Sequence, residues 1–181
     1  MSALGFTLFD TPIGRCAVVW GESGVVGFQL PEGSDELTRE RCTELFPDAA
    51  EQDPDSSPDA RRAIDGVASL LAGEPDPLTD VLLDLRAVPA FDRRVYAVTR
   101  EIGPGQTLTY GEVAARIGSP DAAQAVGQAL GRNPIPVLVP CHRVLAAGGK
   151  TGGFSAHGGA VTKRALLTIE HAPGFDEPTL F

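Results

Sequence analysis

Asn133-Pro-Ile-Pro-Val-Leu-Val-Pro-Cys-His-Arg-Val144 is the stretch on which the reading of this chain turns. Pro134, Pro136 and Pro140 lack amide hydrogens and fix their own φ. They therefore exclude an α-helix and predict an extended segment. The segment presents Cys141 directly after a proline and directly before His142. A thiol attacks only as thiolate, and a neighbouring imidazole or cation favours that form. A bare Cys-His pair is more often a buried, inert thiol beside an unrelated histidine; the proline frame lifts Cys141 above that background. Arg143, at the end of an apolar run, either needs an anionic partner or supports the thiolate, and the structural role is the safer expectation.

Working outward, the residues before this segment are helical. Phe91, Val95 and Val98 share one face of a helix from Ala90 to about Glu101, broken by Pro104-Gly105. Thr109-Tyr110-Gly111 leads into a helix over Glu112–Ile117. Ser119-Pro120-Asp121 predicts a helix start with Pro at its first position. The next helix, Asp121–Leu130, is rich in small residues, and the pair suits a helix-turn-helix. The first third reads as β: Phe6–Phe9, Cys16–Trp20 and Val25–Leu30 are strands separated by turn signals. Ser34 caps a helix reaching about Phe46, the acidic Pro47–Pro58 stretch is a loop, Asp59–Leu71 is helical, and Asp80–Leu85 is a short strand. The fold class expected is α/β, with a β-rich unit over residues 1–88 and a helical unit over 89–181.

The 181 residues can bury a core without staples. Three cysteines, with no C-x-x-C pair and no basic, apolar start resembling a signal peptide, argue against a disulfide framework. The histidines His142, His157 and His171 lie far in sequence from Cys16 and Cys42, so no metal site is expected. No apolar run approaches the roughly 20 residues that span a bilayer, and the cytoplasm is the default location. The net charge of −9 is unevenly spread: residues 1–90 carry −11 and residues 91–181 carry +2. The acidity is either a solvated surface or a division of labour in which only the second half meets a polyanion.

Pro140-Cys141-His142-Arg143-Val144 resembles the active-site signature of the O6-alkylguanine-DNA alkyltransferases, the methylated-DNA–protein-cysteine methyltransferases. Thr109-Tyr110-Gly111-Glu112-Val113-Ala114, Ala125-Val126-Gly127, Asn133-Pro134, Gly152-Gly153-Phe154-Ser155, Lys163, Leu166-Leu167 and Glu170 are similar to further family segments. So are Asp10–Gly14 and Gly27–Pro31 near the start. The resemblance implies an RNase H-like first domain, a second domain with a helix-turn-helix, a monomer, and no cofactor. Its partner would be double-stranded DNA carrying O6-alkylguanine, and the resemblance extends the expectation to O4-alkylthymine. The damaged base leaves the duplex, and Cys141 displaces it from its alkyl carbon irreversibly. By the same resemblance His142 is the base, through a water, and Glu170 orients it. Tyr110 donates to the leaving guanine, and Asn133 ties helix to active-site segment. Pro136, Val144, Phe154 and Ser155 line the substrate pocket. Ser119, Ala122, Ala123, Gln124, Gly127 and Arg132 face DNA.

Two departures from the family pattern stand out. Gln124 occupies the place of an arginine that enters the duplex; it is shorter and uncharged. Arg132 is the nearest substitute, or else a phosphate contact or helix C-terminal cation. The Gly152–Gly159 loop is about two positions longer, with Phe154 for a tyrosine, which suggests a wider pocket. The competing readings are a non-catalytic binder of alkylated bases, an alkyl acceptor with decayed DNA binding, and a cysteine hydrolase; the last lacks a recognisable oxyanion architecture.

Overall fold

The computed structural model describes residues 3–175. Three strands open the chain: β1 (Gly5–Thr11), β2 (Gly14–Gly21) and β3 (Gly24–Gln29). They form an antiparallel meander, with Phe6 opposite Val19 and Val18 opposite Phe28. The helix expected after Ser34 is α1 (Asp35–Leu45), and the Ser34 hydroxyl accepts from the Leu37 amide as its cap. The acidic stretch after it is not wholly loop. Its Ala50–Glu51 forms β4, parallel to β1, so the sheet order is β3-β2-β1-β4. Ser57 then caps α2 (Pro58–Leu71).

The apolar run Cys16–Trp20 is explained by cover on both faces of the sheet. Cys16, Val18 and Trp20 point with Phe9 and Phe28 into the main core, where α2 packs through Ala63, Val67 and Leu70. Ala17 and Val19 point the other way, with Phe6, Leu8 and Cys42 of α1. A strand buried on both faces needs a continuous hydrophobic run.

The second half contributes α3 (Ala90–Arg100), α4 (Tyr110–Arg116), α5 (Ala123–Gly131) and α6 (Ala160–Ile169), with the two-residue strands β5 (Leu108–Thr109) and β6 (Val144–Leu145) pairing in parallel. The core continues across both halves: Tyr96, Val113, Val126 and Leu166 join the cluster that contains Trp20 and Val67. The Phe28 amide also donates to the Pro134 carbonyl at 3.0 Å, tying β3 to the segment before Cys141.

Three expectations are corrected. Residues 80–85 form no strand beyond a single bridge of Leu83 to Val25. The buried Asp84 carboxylate accepts from the Arg86 amide at 3.2 Å and turns the chain there. Pro120 does not start α5. The Ala122 amide bonds the Ser119 carbonyl at 2.9 Å, so Pro120-Asp121 sit in the middle of a turn, and the helix begins at Ala123. Finally, Asn133–Val144 is not extended. The prolines exclude an α-helix, as expected, but the chain folds into consecutive tight turns. Pro140 has φ −79° and ψ 65°, and the Cys141 amide donates to the Val139 carbonyl at 2.7 Å, an inverse γ-turn. Cys141–Arg143 then form one 3-10 turn.

Candidate active site

The turns around Cys141 are held from one side by Asn133. Its Nδ2 donates to the Val139 carbonyl at 2.9 Å, and its Oδ1 accepts from the Ile135 amide at 2.9 Å. Between them Val137 has φ +73°, a conformation costly for a β-branched residue and sustained only where neighbours impose it. The Asn133 side chain therefore braces the cysteine segment from within; neither of these bonds reaches α5, which ends at Gly131.

Cys141 is 7% exposed and forms part of the wall of a cavity of about 440 Å³. Tyr110, Gly127, Leu130, Gly131, Gly153, Phe154 and Ser155 line the rest. Burial pushes the thiol pKa up, while the Asn133 side chain and the Lys163 ammonium act to lower it. The resting sulfur is thus a protonated thiol that needs a base. Cys16 and Cys42 are pushed by burial to about 12 and about 11 and sit in the two apolar clusters, not on the wall of this cavity.

An imidazole follows Cys141 in the chain. His142 is fully buried, and its Nε2 lies 2.9 Å from Glu170 Oε1. Burial pushes the Glu170 carboxyl up, but His142 and Arg143 outweigh it and hold its pKa at about 2. An ionised Glu170 cannot donate, so Nε2 carries the hydrogen. Nδ1 is left with a free lone pair, and it has no hydrogen-bond partner among the described residues. Burial also lowers the His142 pKa against the pull of Glu170, which keeps the imidazole neutral. Arg143 meets the same carboxylate in a fork, Nε to Oε2 at 2.9 Å and Nη2 to Oε1 at 2.7 Å, with Nη1 on the Ile102 carbonyl at 2.7 Å. Its anionic partner is therefore Glu170, and its role is structural.

Tyr110 opens α4 and is half-buried against the cavity; burial raises its pKa, so it remains a donor. Gly152 must be glycine here: its φ is +72°, and a Cβ would come within 2.7 Å of the Tyr110 hydroxyl.

Lys163 is a site residue to which sequence reasoning assigns no role. It is fully buried, donates from Nζ to the Val144 carbonyl at 2.7 Å, and stands 5.7 Å from the Tyr110 ring centroid. Burial lowers its pKa to about 8, and a Cys141 thiolate would act the other way. Helical spacing could have found it, because 163, 166, 167 and 170 share one face, and an ammonium on a face carrying Leu166 and Leu167 is a signal. Leu130 and Gly131 were also missed as lining residues, since only the packing of α5 turns them to the cavity.

Val144 does not line the pocket. It is fully buried in β6, opposite Leu108. Pro136, Phe154 and Ser155 line a second cavity of about 410 Å³ that also reaches Cys141. On the outer side, Gln124 is exposed, and Ser119, Ala122, Ala123 and Gly127 are half-buried around it. Arg132 is not free to replace an arginine at position 124: Asp92, on α3, holds it in a fork at 3.1 and 3.0 Å.

A protonated thiol at a cavity wall, with a neutral imidazole and a carboxylate behind it, defines the class: proteins whose sulfur is the nucleophile. The comparisons narrow this. Residues 90–172 match the family model described as the DNA-binding domain of 6-O-methylguanine DNA methyltransferase. A methylated-DNA–protein-cysteine methyltransferase of Mycobacterium bovis is 38% identical over 97% of this chain and 98% of its own. A crystal structure of Mycobacterium tuberculosis OGT in complex with DNA superposes with a TM-score of 0.74 at 34% identity, covering 95% of this chain and 97% of that one. The O6-methylguanine-DNA methyltransferase of Pyrococcus kodakaraensis superposes with a TM-score of 0.70 at 26% identity, covering 91% and 98%. The chain belongs to the methylated-DNA–protein-cysteine methyltransferase family.

Proposed function

We propose that this protein repairs DNA by moving the alkyl group of O6-alkylguanine irreversibly onto its own Cys141, once per molecule. The observation that carries the reading is the unpartnered, buried Nδ1 of His142, the residue next in the chain to a cavity-lining thiol, with the imidazole fixed through Nε2 by the Glu170 bond at 2.9 Å. The S–C bond forms as the C–O6 bond breaks, and the bonding pair leaves with the guanine. His142 takes the thiol proton through a water, and Tyr110 donates to the departing base. Lys163 steadies the sulfur charge as it develops.

The base is extruded into the cavity while α4 and α5 act as a helix-turn-helix on double-stranded DNA. Ser119, Ala122, Ala123 and Gly127 allow close backbone approach there, and Gln124 stands at the position of the inserting residue. The β3-β2-β1-β4 order, with β4 parallel, supports an RNase H-like reading of the first domain. Residues 1–88 and 89–181 are the two units of the chain, working as a monomer in the cytoplasm. The presence of Cys141 with its base disfavours a non-catalytic binder.

The test is intact-protein mass after exposure to duplex containing O6-methylguanine. One methyl replaces one hydrogen on Cys141, and Cys141→Ala gains nothing. A wild-type protein that binds the duplex but gains no mass would overturn the reading in favour of a binder. Faster transfer from the free base than from duplex would favour an acceptor with decayed DNA binding.

A further inference from the structure

The end of α5 becomes the wall of the cavity at Cys141. Leu130 and Gly131 line that cavity. Two residues after Gly131, Asn133 begins the brace of the cysteine turns, and its amide donates to the Leu130 carbonyl at 3.2 Å. A shift of this helix end therefore moves the wall and the nucleophile together.

Two side chains of α3 hold it. The Tyr96 hydroxyl donates to the Ala129 carbonyl at 2.6 Å. Asp92 accepts from Arg132, the C-cap residue of α5, in a fork: Nε to Oδ2 at 3.1 Å and Nη2 to Oδ1 at 3.0 Å. The Asp92 side chain is 4% exposed and the Arg132 side chain 57%. The carboxylate is thus seated by packing, whereas the guanidinium has no other hydrogen bond among the described residues. A bidentate pair fixes direction as well as distance.

Space lies beside the fork. Asp92, Tyr96 and Arg132 line a third cavity, of about 440 Å³, with Val26, Phe46 and Val88 of the first half and its connection to α3. Val126 and Ala129 seat the body of α5 in the core. At Arg132 the helix borders open space, so its last residue is placed by directional bonds rather than by packing. Asp92 itself lines neither cavity that reaches Cys141.

We propose that Asp92 is a positioning residue for alkyl transfer. Through Arg132 it sets the end of α5, and with it the cavity wall at Leu130 and Gly131 and the Asn133 brace of Cys141. This rests on Cys141 as the alkyl acceptor. In-line displacement tolerates little error in the placement of sulfur against carbon.

The experiment uses the full chain and duplex carrying O6-methylguanine, with single-turnover transfer followed by intact mass as duplex concentration is varied. Asp92→Asn keeps the shape and loses the charge, and Arg132→Lys keeps the charge but cannot fork. The maximal rate falls about tenfold in Asp92→Asn and about threefold in Arg132→Lys, while the half-saturating duplex concentration stays within about twofold. The double variant is no slower than Asp92→Asn, because both changes break one interaction. Asp80→Asn is the control. It breaks another fork, to Arg62 at 2.8 and 2.9 Å, outside the site, and leaves the maximal rate unchanged. A loss of folded protein lowers the fraction that reacts, not the rate constant of the fraction that does. Wild-type maximal rates in both variants overturn the proposal, and so does a change confined to the half-saturating concentration, which makes the pair a DNA-binding element. Wild-type protein that transfers no methyl would sink the Cys141 assignment, and this proposal with it.

Discussion

Glu170→Gln is the sharpest perturbation the site offers. The carboxylate side chain is 1% exposed and bonds both His142 and Arg143. Its pKa of about 2, against an ordinary 4.5, is a difference of about 2.5 units. At 1.36 kcal/mol per unit this stabilises the folded state by about 3 kcal/mol near neutrality. The other side of the pair gives a similar figure, because removing one partner of a buried ion pair costs about 3–5 kcal/mol. Arg143, 1% exposed, would keep its charge with only the Ile102 carbonyl left to meet it. Urea unfolding at pH 7 should therefore show a loss of about 3 kcal/mol, equivalent to a Tm lower by about 10 °C for a chain of this size. The depressed pKa means the stabilisation is fully present above about pH 4.5 and is lost as pH falls towards 2. The gap between wild type and variant should accordingly close across that window. Alkyl transfer should slow at least a hundredfold at a temperature where the variant is folded, because glutamine no longer fixes the His142 tautomer. A destabilisation under about 1 kcal/mol, or unchanged transfer in a folded variant, would refute the argument.

Transfer rate against pH should fall on the acid side as His142 takes up a proton, with a midpoint below 6.5 because burial lowers that pKa; single-turnover mass kinetics locate it. Tyr110→Phe should slow transfer by about tenfold to a hundredfold with little change in duplex affinity, checked by pairing those kinetics with fluorescence anisotropy. Asn133→Ala removes two hydrogen bonds that brace the Cys141 turns and should cost about 2 kcal/mol in denaturant unfolding. Binding to duplex should have a shallow salt dependence. Arg94, Arg100, Arg132, Arg143 and Lys163 are engaged inside the protein, which leaves Arg93, Arg116, Lys150 and Arg164 in the second half for phosphate. A slope of log K against log salt no steeper than about −4 is expected, and Gln124→Arg should steepen it by about one.

Much of the site was legible because its chemistry is carried by residue types in a fixed order. Cys141, His142 and Arg143 are consecutive, and Asn133 opens the same segment, so one short stretch held the candidate residues, and the family resemblance supplied the roles expected of His142 and Asn133. The helices were legible where apolar spacing and caps agreed, as at Ser34 and at Phe91, Val95 and Val98. Reading failed where long-range pairing decides. The two residues of β4 have no strand pattern of their own and exist because β1 offers an open edge. Residues 80–85 have a strand's composition, yet Asp84 turns the chain by bonding Arg86. Pro120 reads as a helix start, but the Ser119–Ala122 turn claims it first.

The sequence by itself determined that a cysteine lies in a proline-framed, non-helical segment beside a histidine, and that a glutamate follows one helix later. Local covalent geometry and helical periodicity are enough for that. That the segment is turned rather than extended came only with the structure. Only the tertiary structure decided that His142 presents Nδ1 rather than Nε2 as its free nitrogen, that Arg132 is bound to Asp92 rather than available to DNA, and that Cys141 opens onto a second cavity. Each of those depends on which side chains from distant segments share a low-dielectric space, and burial there sets both the protonation state and the partner of every charge.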